Sequence, residues 1–161
     1  MELIYERPEP GNGWVSRLVE VLKPLSLRAD RLGSMNLFSG LRWSELEFAA
    51  GLLEPVDVPR GTRMTVQGRP GSTLWLISEG EALVSADARP LRVAGHGDPV
   101  GVATMLYGIN SQETTIALSP IQALAADQAQ FKALIARREI RRRLTAVAAD
   151  QLRVRRRAFI G

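Results

Sequence analysis

Residues 95–118 read GHGDPVGVATMLYGINSQETTIAL, with glycines at 95, 97 and 101 near one end and the run ETTIAL at the other. Glycine permits the positive φ angles that tight turns require, whereas β-branched residues such as threonine and isoleucine favour strands. The stretch therefore predicts a glycine-rich turn that is followed by a β-strand.

On both sides of this stretch, from Glu54 to about Ala126, short β-prone runs alternate with turn residues. The runs are PVDV, TRMTV, TLWLIS, EALVSA, PLRVA, ETTIAL and IQALA. Strands at a spacing of roughly 8–12 residues, with a turn signal each time, are typical of a sandwich or barrel. The middle of the chain is therefore predicted to be mainly β.

Helical patterns precede this strand-rich region. Apolar residues recur at helical spacing, interrupted by Pro24, at Trp14, Val15, Leu18, Val19, Leu22 and Leu25. A second helix is indicated by Ser44 and Glu47, which fit a capping box. Its buried stripe is predicted to comprise Leu46, Ala49, Ala50 and Leu53, with Pro55 just past the end. Residues 1–13 show no periodicity and are predicted to form an arm.

After Asp127 the helical period returns. The apolar positions are Phe131, Leu134, Ile135, Ile140, Leu144, Val147 and Leu152. They predict one long helix or two in tandem. The later positions leave an apolar stripe, for which we expect a homodimer interface, the alternative being that the stripe folds back on the strands.

Composition places the chain among ordinary globular proteins. It has 161 residues, of which 45% are hydrophobic and 24% charged, and it contains no cysteine. No apolar run approaches the roughly 20 residues that span a bilayer, and the start MELIYERPEP lacks the pattern of a secretion signal. We therefore expect a soluble cytoplasmic domain without disulfides, thiolate metal sites or a membrane partner.

Charge is distributed unevenly along the chain. Residues 1–130 carry 11 Lys and Arg against 15 Asp and Glu, a net charge of −4. Residues 131–161 carry 10 against 2, a net charge of +8. Such asymmetry between segments indicates a binding partner for one of them.

The order of these elements resembles the cyclic nucleotide-binding domain family, which includes the sensor half of the catabolite activator protein, kinase regulatory subunits and nucleotide-gated channels. The resemblance runs from about Leu37 to Leu152. It is carried by LFSGLRWSELEFAAGLLEPVDVPRGT, by QGRPGSTLWLISEGEALV, by residues 95–118 and by the segment from Ile121 to Arg153. It implies an α+β, mainly β fold, an antiparallel β-roll or jelly roll of about eight strands. N-terminal helices, a short cassette helix and C-terminal helices complete it.

Residues 95–118, here called the cassette, match the family's phosphate-binding cassette. Gly101 matches the glycine of the tight turn, and Val102, Ala103 and Thr104 begin the implied short helix, whose N–H groups would face the ligand phosphate. The family's ribose-binding glutamate is replaced by Val102. Its phosphate-binding arginine is replaced by Ser111, which Gln112 follows. No lysine or arginine occurs between Val93 and Phe131, although Arg63, Arg69, Arg89 or Arg92 could approach from other strands.

Enzymatic chemistry has little support in the sequence. His96 is the only histidine and falls in a turn, so neither a hydrolase triad nor a several-histidine metal site can be assembled. The glycines at 95, 97 and 101 are better explained by turn geometry than by a dinucleotide-binding loop. We expect no catalytic residue, no metal and no cofactor, a cyclic nucleotide being the alternative ligand.

Arginines near the C-terminus form the candidate interaction site. They are Arg137, Arg138, Arg141, Arg142, Arg143, Arg153, Arg155, Arg156 and Arg157. They could form a solvated helix face or meet an acidic protein, nucleic acid or the acidic part of this chain. The last four follow the last clear apolar position, Leu152, and are expected to form an exposed tail. The family's transcription factors append a helix-turn-helix after the closing helix, and none is visible here, so sequence-specific DNA is not the expected partner.

We therefore expect a stand-alone regulatory or interaction module that has lost the family's usual cAMP or cGMP binding and takes a protein partner. The alternatives are a genuine cyclic nucleotide sensor with unusual phosphate contacts, or a scaffold whose basic C-terminal helix docks an anionic partner. Three segments are expected: an arm and helix at 1–36, the β-roll with its entry helix at 37–130, and the basic helices and tail at 131–161.

Overall fold

The computed structural model describes residues 3–4 and 25–160, with side chains from 25 to 157. The helix predicted from Trp14 onward falls almost wholly outside the described residues. Within them the first helix, α1, spans Leu25–Gly33. Residues Leu3–Ile4, within the predicted arm, form strand β1, because they pair in parallel with a later strand.

The elements between the first and last helices follow the predicted order. After a 3-10 turn at Asn36–Phe38 come α2 (Trp43–Leu52), β2 (Glu54–Val58), β3 (Thr62–Thr65), β4 (Leu74–Glu79), β5 (Ala82–Ala86) and β6 (Arg89–Ala94). These are followed by β7 (Pro99–Val100), α3 (Val102–Tyr107), β8 (Thr114–Ala117) and β9 (Ile121–Ala126). Strand β7 is absent from the sequence prediction because its two residues follow the glycine turn directly.

The strands form two sheets. One has the order β1-β3-β8-β5-β6 and the other β2-β9-β4-β7. All pairings are antiparallel except that of β1 with β3. Alternating side chains from both sheets meet in one apolar cluster that includes Val58, Ile77, Val84 and Ile121. The predicted α+β, mainly β fold is confirmed.

The C-terminal segment forms two helices in tandem. Helix α4 spans Gln128–Ala136, Arg137 separates it from the next helix, and α5 spans Arg138–Ile160. Asp127 caps α4 through a capping box with Gln130, with distances of 2.8 Å in both directions. No described helix is both long and apolar enough to cross a membrane.

The capping box predicted at Ser44 is wrong. Helix α2 begins two residues earlier than that box requires, at Trp43, with Arg42 rather than Ser44 at the N-cap and no side-chain cap bond. Ser44 lies inside the first turn, and Glu47 accepts a 2.8 Å hydrogen bond from Trp43 Nε1. The stripe behind it is as predicted, because Leu46, Ala49, Ala50 and Leu53 are all buried.

A second apolar cluster joins the helices to the roll. Ala29 and Leu32 of α1, the buried stripe of α2, and Phe131 and Leu134 of α4 pack with Ile140, Leu144 and Ala148 of α5. Val102 of the short helix α3 belongs to the same cluster. Helix α5 is thereby fixed against α3, which places it beside the cassette.

Candidate functional site

The turn before α3 depends on Gly101. Its φ is +90°, in the left-handed region, and it is the N-cap residue of α3. A Cβ at this position would lie 2.8 Å from the carbonyl oxygen of Thr73. Glycine is therefore required on both conformational and steric grounds, and the predicted turn and short helix are confirmed.

The first residues of α3 face inward. Val102 is fully buried and Thr104 is 8% exposed, whereas Ala103 is half-buried. A glutamate at position 102 would accept ribose hydroxyls in the family's usual arrangement, but Val102 offers only a methyl surface to the core. Val102 is therefore a packing residue in this structure.

Ser111, which the resemblance places where the family has its phosphate-binding arginine, is buried, and its hydroxyl, N–H and carbonyl groups are all hydrogen-bonded within the chain. Its hydroxyl donates to the carbonyl of Glu113 at 2.6 Å. Its backbone N–H donates to Arg69 O, and its carbonyl accepts from Gly68 N, both at 2.8 Å. Ser111 thus ties the cassette to the turn between β3 and β4.

Arg92 is a first cation that the fold brings to the cassette. From β6 it makes a bidentate ion pair with Glu113, with Nη1–Oε1 at 2.9 Å and Nη2–Oε2 at 3.0 Å. The two side chains are only 26% and 17% exposed. Arg92 was one of four arginines that could have approached from other strands, and it is neutralised by this carboxylate. Arg69 and Arg89 are exposed.

Arg155 is the second cation. It lies on α5, is half-buried, and donates from Nη1 to the side-chain oxygen of Gln112. One turn earlier, Gln151 Nε2 donates to Pro99 O at 3.3 Å. The expectation of an exposed tail after Leu152 is therefore wrong for Arg155, because α5 continues across the cassette.

Little space remains beneath these contacts. Gly101, Thr104, Ser111, Glu113 and Leu152 line, with their neighbours, a cavity of about 20 Å³. Drug-sized ligands usually occupy pockets of roughly 300–1,000 Å³. The cassette is closed in this conformation.

A larger groove also borders α5 and is lined in part by Gly97, Asp98 and Pro99 at the start of the cassette. It has a volume of about 490 Å³ and runs between α5, the 3-10 turn and the turn before β7. Three of its charged side chains are in ion pairs, Arg92 with Glu113, Arg143 with Glu139 and Asp150 with Arg153. The fourth, Asp98, accepts a hydrogen bond from the backbone N–H of Gly95. The groove therefore offers mainly apolar surface.

The predicted basic residues divide into two groups. Arg137 pairs with Glu45 at 3.2 Å and lies 4.1 Å from the ring centroid of Phe48, while Arg143 donates to the carbonyls of Leu37 and Ser39. Arg143 and Arg155 therefore bind α5 to the rest of the chain, and Arg137 does the same at the residue that precedes this helix. The exposed remainder are Arg138, Arg141, Arg142, Arg153, Arg156 and Arg157.

Glu139 balances part of this charge. Hydrogen bonds from Arg142 and then Arg143 lower the pKa of its carboxyl to about 2 from an ordinary value of 4.5. The same contact raises the pKa of Arg142. Glu139 therefore remains ionised throughout the neutral and mildly acidic range.

His96 is exposed. Its Nδ1 lies 2.7 Å from Ser78 O in the turn before β7. Within the described residues, no group of three or more potential metal ligands comes together. Trp75 is a buried strand residue and Tyr107 is 49% exposed.

The stripe expected at a dimer interface is covered by the chain itself. Ile140 and Leu144 are each 1% exposed and pack in the helical cluster, with Val147 against it. This corresponds to the fold-back alternative. Dimerisation through α5 stays a prediction that would need other residues of this helix.

Comparison with known proteins supports this fold. A family model described as cyclic nucleotide-binding domain matches residues 55–138. The chain is also 27% identical over 128 residues to the CRP-like cAMP-activated global transcriptional regulator of Mycobacterium tuberculosis. That alignment covers 76% of this chain and 57% of the relative, so the chain spans little more than half of the relative's length.

Two solved structures extend the comparison. The cAMP-bound PfPKA-R (141-441) superposes with a TM-score of 0.77 at 21% identity, over 88% of this chain and 49% of that one. The cAMP-binding acyltransferase from Mycobacterium smegmatis gives a TM-score of 0.59 at 27% identity, over 80% of this chain and 41% of that one. The first likeness shows the shared fold, and the second shows that such a unit also occurs as part of an enzyme.

Proposed function

This chain belongs to the cyclic nucleotide-binding domain family, and from that premise we propose that it is a regulatory or interaction module which has lost the family's usual binding of cAMP and cGMP. Its partner is then a protein or another macromolecule, and the chain catalyses no step itself.

The observation that carries the proposal is the closed cassette. Its cavity of about 20 Å³ is far below the size of a nucleotide pocket. Opening it requires α5 to give up the contacts of Arg155 and Leu152. A ligand must therefore offset those contacts before it gains its own, which lowers its apparent affinity.

Chemistry at the cassette adds to this cost. A buried phosphodiester without its arginine loses a charge-assisted hydrogen bond, worth roughly 1.5–3 kcal/mol or about 10- to 150-fold in affinity. Glu113 adds a negative charge beside Ser111, although its pairing with Arg92 compensates for it. Free N–H groups at the start of α3 contribute only about 0.3–1 kcal/mol.

Rebuilding the cassette tests the proposal. The double variant Val102→Glu, Ser111→Arg restores both missing groups, and we expect it to bind cAMP at least about tenfold more tightly than the unmodified chain in calorimetric titration. The matched control, Leu27→Glu with Ser44→Arg, adds the same side chains at exposed positions and should show no gain.

Equal and tight binding by the unmodified chain and the rebuilt variant would overturn the proposal. Both new side chains enter buried positions, so thermal unfolding must first establish that the variant folds. If it does not fold, the titration of the unmodified chain decides alone, and submicromolar binding there contradicts the proposal.

A second candidate function is a cyclic nucleotide sensor with unusual phosphate contacts, favoured by the approach of Arg92 and Arg155 to the cassette. In that function a ligand phosphate would take the place of Glu113 or Gln112 as the arginine's partner. Glu113→Gln removes the competing carboxylate and should then raise cAMP affinity several-fold. An unchanged or lower affinity would exclude this candidate.

A further inference from the structure

Helix α5 carries six exposed arginines on one face. At 100° per residue, they fall within an arc of about 160° around the helix axis. We call this surface the basic face, and it comprises Arg138, Arg141, Arg142, Arg153, Arg156 and Arg157. It exists because α5 is one continuous helix, which the sequence alone did not establish.

Packing on the opposite side keeps the basic face turned toward solvent. Ile140, Leu144 and Ala148 are each 1% exposed or less and pack in the helical cluster. Arg143 and Arg155 bind the body of the chain from the same inner side. The helix therefore cannot roll to bury its exposed arginines without losing these contacts.

Most of this charge is not neutralised within the chain. Among the described residues, Arg138, Arg141, Arg156 and Arg157 appear in no ion pair, whereas Arg142 pairs with Glu139 and Arg153 with Asp150. Exposed pairs of this kind typically contribute only about 0.2–1 kcal/mol. An anionic partner could displace them at little cost.

The arginines form two clusters, which are separated by a stretch of small side chains. Arg138, Arg141 and Arg142 lie toward one end, and Arg153, Arg156 and Arg157 toward the other. Thr145, Ala146 and Ala149, which are small and exposed, separate them. At 1.5 Å per residue, Arg142 and Arg153 lie about 17 Å apart along the axis.

This pattern is complementary to the phosphate rows of a nucleic acid duplex. B-DNA carries one charge per about 1.7 Å of axis, and its major groove is about 12 Å wide with phosphates on both sides. Long arginine side chains at the two ends of the face can reach both rows, and guanidinium groups match phosphate geometry. We propose that the basic face of α5 binds double-stranded nucleic acid through backbone phosphates, without reading its sequence.

The geometry favours this partner over a membrane. A helix that binds a bilayer surface inserts an apolar face beside its basic one. In α5, Ile140, Leu144 and Ala148 are buried in the chain's own core, and among the described residues of this helix the large apolar side chain that is exposed is Val154. Because the basic face lies outside the cassette interior, the proposal does not depend on whether the chain binds a cyclic nucleotide.

Fluorescence anisotropy tests the proposal with two labelled 24-base-pair DNA duplexes of unrelated sequence. We expect the unmodified chain to bind both within about twofold of each other. The double variant Arg141→Gln, Arg156→Gln removes one unpaired arginine from each cluster. We expect this double variant to bind DNA at least about tenfold more weakly at low salt. The plot of log K against log salt concentration should also be less steep, by about 2 units of slope.

The matched control is Arg42→Gln, Arg60→Gln, which removes the same charge from exposed positions on the body. It should keep nearly all of the affinity and slope. Equal weakening by both double variants would overturn the proposal, because net charge alone would then explain binding. Equal or tighter binding to a 24-residue polyglutamate peptide, or to phosphatidylserine vesicles, would overturn it in favour of that partner.

Discussion

Gly101 joins three requirements in one residue: a left-handed backbone, a close approach to Thr73 O, and the start of α3. Gly51 offers a contrast, because it lies exposed inside α2, has no positive φ, and its Cβ would contact nothing within 4 Å. The backbone therefore requires glycine at position 101 but not at position 51.

Substitution by alanine should therefore have opposite effects at these two positions. Gly101→Ala is expected to lower the free energy of unfolding by at least about 2 kcal/mol, since strain and a steric clash combine. Gly51→Ala should raise it by up to about 1 kcal/mol, because alanine favours the helix. Urea unfolding followed by circular dichroism measures both, and similar losses for the two would contradict this account of the turn.

At the scale of residues, the resemblance assigned Val102 and Ser111 to the family's ribose-binding and phosphate-binding positions, which stays a prediction, and it did not show which side chains fill the space around them. Val102 and Ser111 could be identified because their neighbours along the chain fix the alignment. Arg92 and Arg155 could not, since they lie 21 and 43 positions from the residues they contact. Such contacts depend on sheet order and on where α5 lies, and neither is encoded locally.

Helix boundaries show a similar limit at the scale of elements. The apolar stripe of α2 was predicted correctly, whereas its N-cap was not, because Ser44 and Glu47 match the capping pattern while the helix starts at Trp43. Asp127 and Gln130 make a reciprocal cap at α4 that the sequence analysis did not single out. Local patterns of this kind recur by chance, and packing decides which of them is used.

The two caps can be compared directly. Asp127→Ala should reduce the free energy of unfolding by about 1 kcal/mol, because Gln130 N–H loses its acceptor. Ser44→Ala should change it by less than about 0.5 kcal/mol, since Ser44 is exposed and caps nothing. Thermal or urea unfolding measures both variants. A larger loss of stability in Ser44→Ala than in Asp127→Ala would contradict this account of the two caps.

Helix α5 provides the second test at this scale. Arg155→Ala should lower the free energy of unfolding by about 1 kcal/mol, because a half-buried hydrogen bond to Gln112 is lost. Arg153→Ala, its neighbour on the exposed side, should cost less than about 0.5 kcal/mol.

Hydrogen exchange distinguishes a closing contact from a merely stabilising one. Amides of the cassette should exchange faster in Arg155→Ala than in Arg153→Ala, because α5 then covers them less often. Equal exchange in the two variants would show that Arg155 does not hold the cassette closed.

At the scale of the whole molecule, the sequence predicted the mainly β fold and seven of its strands, since turn residues punctuate each one. It did not predict the pairing of β1 with β3, because a two-residue strand in parallel has no periodic signal. Nor did it show that α5 would bury Ile140 and Leu144 within the chain rather than present them to a second copy.

Calorimetric titration of the unmodified chain with cAMP and with cGMP tests the central claim, that the cassette is closed to the family's usual ligands. The small cavity and the missing ribose and phosphate partners predict that neither binds more tightly than about 100 μM, a dissociation constant corresponding to roughly 5.5 kcal/mol. A submicromolar dissociation constant for either nucleotide would contradict the account.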